Sequence, residues 1–181
     1  MDKRELRKII RNKHIDPAYL KQASRIIQNK VLDLPQYRDC RKVFCYVSVN
    51  SEVKTYLIMQ SALEGKELLV PKCLEHGIMK AVKITSIDQL GKGHYGIPEP
   101  DGDSEICDDY DLVIVPCICA GKNGERLGHG AGYYDRFLQG SKRLKVCLCL
   151  QENIMDDIPM NEYDRYMDLV VTEDNIYGNC L

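Results

Sequence analysis

The chain has 181 residues, 29% of them charged and 44% apolar, with a formal net charge of -2. That length supports one domain with a buried core, and the charge balance argues against a general nucleic-acid or membrane-surface binder. No apolar run reaches the roughly 18 residues that span a bilayer. The charged start Met1-Asp2-Lys3-Arg4-Glu5-Leu6-Arg7 has no apolar signal core behind it, so a cytoplasmic protein is expected.

Residues 3–13 read as a helix with Leu6, Ile9 and Ile10 as its apolar stripe. Lys3, Arg7 and Arg11 recur at intervals of four and stack along one side. Asp16-Pro17 is a helix start, an N-cap followed by proline at the first helical position. This second helix runs to about residue 32, and Pro35 lies beyond its end. Two helices thus precede the first strand, 42–47. Next come a helix over 53–63, a short strand over 67–70 before Pro71, and a strand over 78–84. Residues 85–90 could form a short helix, and 91–104 read as a loop rich in glycine and proline. A buried strand over 111–115 ends at Pro116. A glycine-rich loop follows, then a helix over 132–138, an apolar strand over 144–150 and a last short strand over 169–172. The alternation predicts an α/β fold: a single-domain three-layer α/β/α arrangement with a mostly parallel sheet and two N-terminal helices.

The nine cysteines show no Cys-x-x-Cys spacing, and an odd number cannot pair completely within one chain. Cys117/Cys119 and Cys147/Cys149 sit inside apolar runs. If those runs are strands, each pair points to one face of a sheet. They read as buried free thiols acting as small hydrophobes, which fits a reducing compartment. His14, His76 and His94 have no spacing suited to a metal site.

Ligands of open α/β sheets sit beyond the carboxyl ends of the strands, which directs attention to the segment after 111–115. There Gly128, Gly130 and Gly132 alternate just before a helix. Residues without a Cβ let backbone N–H groups approach an oxyanion, and a helix N-terminus adds partial positive charge. Arg126 is a planar donor fork suited to phosphate or carboxylate, and Asp135 could hold magnesium beside a phosphate. A dinucleotide fingerprint fails because Tyr133 or Asp135 stands where its last glycine should be. A Walker-type loop fails for want of Gly-Lys-Ser/Thr. Spacing alone leaves both an anion-binding loop and a purely structural glycine turn open.

The run Asn123-Gly124-x-Arg126-Leu127-Gly128-x-Gly130-x-Gly132-Tyr133-Tyr134-Asp135 resembles the signature of the 5-formyltetrahydrofolate cyclo-ligase family, also called methenyltetrahydrofolate synthetase. Lys3-Arg4-x-Leu6-Arg7 is similar to the family's N-terminal basic motif. Gly96-Ile97-Pro98-Glu99-Pro100 resembles its mid-chain loop, and Asn161-Glu162-x-Asp164 its C-terminal acidic motif. The resemblance implies conversion of 5-formyltetrahydrofolate to 5,10-methenyltetrahydrofolate with ATP and Mg2+, releasing ADP and phosphate. In the family scheme the formyl oxygen is phosphorylated, N10 attacks the activated carbon, and phosphate leaves. Such a transfer depends on positioning and on neutralising charge. The implied partner is that small-molecule substrate, taken by a monomer, with no nucleic acid and no membrane.

By the same resemblance, Lys3 and Arg7, with Arg4 of their motif, bind ATP phosphates. Arg126 and the segment Leu127, Gly128, His129, Gly130, Ala131, Gly132, Tyr133 and Tyr134 form the nucleotide cradle, with Arg126 and His129 as catalytic candidates. Asp135 and Asp164 carry magnesium, while Val47, Glu52, Tyr95 and Tyr133 face the folate. A carboxylate such as Glu52 can accept paired hydrogen bonds from pterin N–H groups. Blander readings stand beside these: Lys3 and Arg7 as a solvated helix face, Glu52 as a cap for the 53–63 helix, Asp164 as acidic surface, and Tyr133 and Tyr134 as core packing. His129 and Ala131 depart from the family pattern. His129 offers a titratable donor instead of a permanent cation. Ala131 demands negative φ, or strain if the family's glycine has positive φ. Other functions compatible with the fold are a non-catalytic folate- or nucleotide-binding module and an isomerase acting on phosphosugars without ATP.

Overall fold

The computed structural model describes residues 1–93, 96–102 and 105–178. Helix α1 (Lys3–Arg11) opens on a capping box in which Asp2 accepts from the chain and Glu5 reaches back to the cap. It buries Leu6 and Ile10, but Ile9, expected in the apolar stripe, is 48% exposed. Helix α2 (Pro17–Asp33) starts as expected, with Asp16 accepting from the Ala18 N–H and proline in the first turn. Pro35 lies beyond the end of α2 as expected, and it also begins a further helix, α3 (Pro35–Asp39), so three helices rather than two precede the sheet. Proline suits a first helical position because its missing N–H is unneeded there and its φ is preset.

The sheet begins with β1 (Lys42–Cys45), shorter than expected. Helix α4 (Tyr56–Gly65) starts three residues later than the pattern suggests, because its first turn is fixed from outside. The Gln28 side chain of α2 accepts from the Leu57 N–H at 2.8 Å, while Thr55 Oγ1 donates to the Tyr46 carbonyl at 2.9 Å. Strand β2 (Glu67–Cys73) runs on through Pro71 and pairs antiparallel with β3 (Met79–Ile84). Its pairing to β1 has ended by Leu69, so the proline removes no bond from that ladder. The candidate helix over 85–90 is one 3-10 turn, Ile87–Gln89. The segment expected as loop holds a small antiparallel pair, β4 (Leu90–Lys92) and β5 (Pro98–Pro100). Strand β6 (Leu112–Pro116) is wholly buried.

Within the glycine-rich stretch, β7 (Cys119–Gly121) and β8 (Arg126–Leu127) form a hairpin. Helix α5 (Tyr133–Phe137) has only five residues. Strands β9 (Leu144–Leu148), β10 (Ile154–Met155), β11 (Leu169–Val171) and β12 (Ile176–Gly178) complete the chain. The main sheet has seven strands in the order β12-β11-β9-β6-β1-β2-β3. The neighbours from β11 to β2 are all parallel, and only the two edge strands run antiparallel. The α/β class with a mostly parallel sheet stands.

One core lies between the sheet and α2, α3 and α4, around Ile27, Val31, Ile58 and Leu68. The opposite face packs Phe44, Val113, Val115 and Val170 against Tyr110, Phe137 and Leu138. Helix α1 packs on neither face. Leu6 and Ile10 seat on the small β10-β7-β8 sheet against Ile118, Cys119 and Leu127. The eight described cysteines are free, and six are buried. Cys147 and Cys149 share one face as expected. Cys117 and Cys119 do not, because the chain leaves the sheet at Pro116. Among the described residues no helix is long and apolar enough to cross a membrane.

Candidate active site

Between β6 and β1 the strand order reverses direction, since β1 leads outward to β2 and β3 and β6 leads the other way to β9. Such a switch point opens a crevice at the carboxyl ends of the strands. A cavity of about 610 Å³ lies there, walled by Tyr46 and Val47 after β1, Cys73 of β2 and Pro116 of β6. Pro71, Met79 and Ile97 give it apolar lining, and Lys3, Arg7, Asn50, Glu52, Glu99, residues 126–135, Asn161 and Asp164 also line it. Every expected site residue within the described chain lines this cavity except Arg4, which is exposed on α1. Tyr95 lies outside the described residues.

Two members of the cation row of α1, Arg7 and Arg11, hold the glycine loop. Arg7 Nε donates to the Gly128 carbonyl at 2.8 Å, and Arg11 Nη2 donates to the His129 carbonyl at 2.9 Å. Arg136 Nη2 donates to the Ala131 carbonyl at 2.9 Å. The C=O and N–H of a trans peptide unit point to opposite sides, so the N–H groups of His129, Gly130 and Gly132 face away from those arginines. Among the described residues, no backbone acceptor takes the N–H of His129, Gly130, Ala131 or Gly132 outside regular structure. Gly130 and Gly132 have φ of 108° and 71°. Ala131 lies between them without positive φ, so its Cβ brings no strain. Because α5 has only five residues, its dipole adds little at this loop.

Arg126 lines the cavity but is only 5% exposed. Nη1 donates to the Pro116 carbonyl at 3.0 Å and Nη2 to Asp135 Oδ1 at 3.1 Å, and the guanidinium stands 5.6 Å from the Tyr134 ring. Its buried Nε has no hydrogen-bond partner among the described residues. A Cβ on Gly128 would come within 2.7 Å of Nη1, so this glycine makes room for the guanidinium. Tyr134 is partly buried, packs its ring against Phe44 at 6.4 Å at the edge of the core, and also lines the cavity. Across the cavity, Lys3 is ion-paired with Asp164, which also accepts from the Asn161 N–H at 2.6 Å.

Glu52 does not cap a helix, since α4 begins at Tyr56 and its first turn is served by Gln28. Instead its Oε2 accepts from the Val49 N–H at 2.8 Å in a tight turn that places Asn50 at φ 46°. Burial raises its carboxyl pKa against the opposing pull of that N–H and of Lys54. His129 Nε2 lies 3.6 Å from Glu52 Oε1. Burial, then the charges of Arg11, Arg126 and Arg7, lower the imidazole pKa below its ordinary 6.5. The unfolded chain then takes up a proton that the folded chain refuses, and acidification below 6.5 through this window removes stability. A proton NMR titration is expected to give His129 a midpoint below 6.5, moving upward in Arg11→Ala. A midpoint at or above 6.5 contradicts the assignment.

The expected site residues thus converge. The contacts of Arg11 and Arg136 with the loop carbonyls were not foreseen. The four-residue spacing hinted at Arg11, and no signal marked Arg136. A doubly wound sheet whose switch-point cavity is lined by an arginine-held glycine loop and by the carboxylates Glu52, Glu99, Asp135 and Asp164 defines an α/β protein with the layout of an enzyme.

Comparison with known proteins agrees. Residues 1–173 match the model of the 5-formyltetrahydrofolate cyclo-ligase family. A probable 5-formyltetrahydrofolate cyclo-ligase of Schizosaccharomyces pombe is 34% identical over 84% of this chain and 85% of its own length. The 5-formyltetrahydrofolate cyclo-ligase of Saccharomyces cerevisiae is 31% identical over 95% and 93%. The solved 5,10-methenyltetrahydrofolate synthetase of Aquifex aeolicus superposes with a TM-score of 0.86 at 31% identity, covering 100% of this chain and 96% of that one. The chain belongs to the 5-formyltetrahydrofolate cyclo-ligase family and is a ligase.

Proposed function

We propose that the chain converts 5-formyltetrahydrofolate to 5,10-methenyltetrahydrofolate with ATP and Mg2+, by phosphorylating the formyl oxygen. The observation that carries this reading is the loop 128–132, whose carbonyls are held by arginines and whose N–H groups are left for an anion. An anion cradle beside apolar lining suits a polyphosphate and a pterin held side by side. The γ-phosphoryl group moves to the formyl oxygen. N10 then attacks the formyl carbon, forms the new C–N bond and loses its proton, while the C–O bond breaks with its electrons leaving on phosphate. A formamide oxygen leaves poorly, and phosphorylation makes it a good leaving group.

Among the described residues no cluster of three or more His, Cys, Asp or Glu could cage a metal. Magnesium does not need one, because it is commonly held by one or two carboxylates with water and phosphate oxygens. Asp135 and Asp164 fit that donor set, and the ion would neutralise charge on the transferring phosphoryl group. Lys3, ion-paired with Asp164, would turn to a phosphate when that carboxylate takes a cation. Arg126 works through Asp135 and the loop, which makes it a positioning residue. His129 offers a donor at the cradle's edge, and Val47, Glu52 and Tyr133, which line the same cavity, would face the folate. A reducing compartment such as the cytoplasm suits the eight described cysteines, all of them free.

Purified chain mixed with ATP, Mg2+ and 5-formyltetrahydrofolate is expected to generate the methenyl chromophore in the near ultraviolet, with one ADP per ring closed. No absorbance change with fresh substrate defeats the reading. Glu52→Gln keeps an acceptor for the Val49 N–H but loses the charge that pterin N–H groups favour. It is expected to raise the KM for folate about tenfold while that for ATP stays put. An equal rise in both would assign Glu52 to its turn.

A further inference from the structure

We propose that Arg136 is a positioning residue for this reaction, latching the glycine loop to the tip of the β2–β3 hairpin and so fixing the spacing between two walls of the cavity. The inference rests on the proposed ring closure for the chemistry it serves. Arg136 follows Asp135 on α5 and does not line the cavity. Its Nε and Nη2 nevertheless donate to the Gly77 carbonyl at 3.1 and 2.9 Å, and Nη2 also donates to the Ala131 carbonyl. The guanidinium stands 5.5 Å from the Tyr133 ring. A lone surface cation is normally left to solvent. Here one planar fork joins the hairpin tip, the loop and a cavity-lining ring, a geometry lysine does not reproduce.

The backbone is shaped to receive it. His76 and Gly77 take φ of 58° and 73° in the hairpin tip, a conformation uncommon for any residue but glycine. A Cβ on Gly77 would stand 2.6 Å from Nη2, and a Cβ on Gly132 would stand 2.7 Å from Nη1. The two glycines thus leave the space that the guanidinium fills. The hairpin's strands carry Pro71, Cys73 and Met79, the apolar wall, while the loop carries the amide cradle. Phosphoryl transfer between two bound partners tolerates little misplacement, so the distance between these walls sets the rate.

The test compares Arg136→Gln and Arg136→Lys with the unsubstituted chain, by steady-state kinetics and by amide hydrogen exchange at residues 75–78. For Arg136→Gln, kcat is expected to fall about tenfold with KM values moving less than about twofold, because the side chain touches neither ligand. Arg136→Lys is expected to recover part of kcat, and exchange at the hairpin tip to quicken in both variants. An unchanged kcat overturns the proposal whatever the exchange shows. If the unsubstituted chain closes no ring, the proposed function falls by itself and exchange alone judges the latch. Quicker exchange then supports it, and unchanged exchange overturns it.

Discussion

Asp135→Asn is expected to reduce turnover by about two to three orders of magnitude, with part of the loss recovered at high magnesium. The geometry gives this carboxylate two tasks. It is one of the acidic groups that line the cavity, and it accepts from the guanidinium of Arg126 at 3.1 Å. Asparagine keeps an oxygen for Arg126 but removes the charge that balances a cation almost closed to solvent, since the Arg126 side chain is 3% exposed. Fully breaking a buried pair costs about 3–5 kcal/mol. Asp135 is itself 25% exposed and the amide still accepts, so about 1–2 kcal/mol is the expected loss of stability. Thermal unfolding and turnover at limiting magnesium measure the two tasks separately. Unchanged turnover removes Asp135 from the metal site, and an unchanged midpoint removes it from the support of Arg126.

How much of this was readable in the residues follows from what each signal depends on. The buried parallel strands were legible because Leu112–Pro116 and Leu144–Leu148 are near-continuous apolar runs, the mark of strands covered on both faces. The pair Leu90–Lys92 with Pro98–Pro100 was not. Its prolines and glycine are depleted in strands, and only pairing at the margin of the fold accommodates them. The hairpin inside the glycine-rich stretch was hidden for a similar reason, with strands of three and two residues.

At the site, the row of Lys3, Arg7 and Arg11 was visible as a spacing, but spacing does not say what a cation faces. Folding turned Lys3 to a carboxylate and the other two to loop carbonyls. The reason lies elsewhere in the chain: Leu6 and Ile10 seat α1 on the small sheet, and that seating aims its basic side at the loop leaving the same sheet. Glu52 remained ambiguous between cap and ligand until the start of α4 was fixed, and that start depends on Gln28 of another helix. Arg126 was legible as a residue type, yet its burial was not. The loop that follows it folds back so that Gly128 lies against its guanidinium.

That burial sets the second large expectation. Arg126→Lys is expected to lower stability by about 2–3 kcal/mol and to raise the KM for ATP several-fold. Lysine carries a compact, strongly hydrated charge on one nitrogen. It has no planar fork to reach the Pro116 carbonyl and Asp135 together, as Arg126 does through Nη1 and Nη2. Nor does it fill the slab of space between Gly128 and the Tyr134 ring. Both losses loosen the same structure, because the arginine supports the loop from beneath while Asp135 hangs from its fork. For a chain of this length, each kcal/mol corresponds to roughly 2–4 °C in Tm, so the destabilisation is visible in a melt. Arg126 and Asp135 form one unit, so Arg126→Lys combined with Asp135→Asn is expected to cost less than the sum of the single changes. Full additivity would mean the ion pair contributes nothing. A normal Tm with a raised KM would instead make Arg126 a direct phosphate ligand, and a lowered Tm with an unchanged KM would confine it to the scaffold.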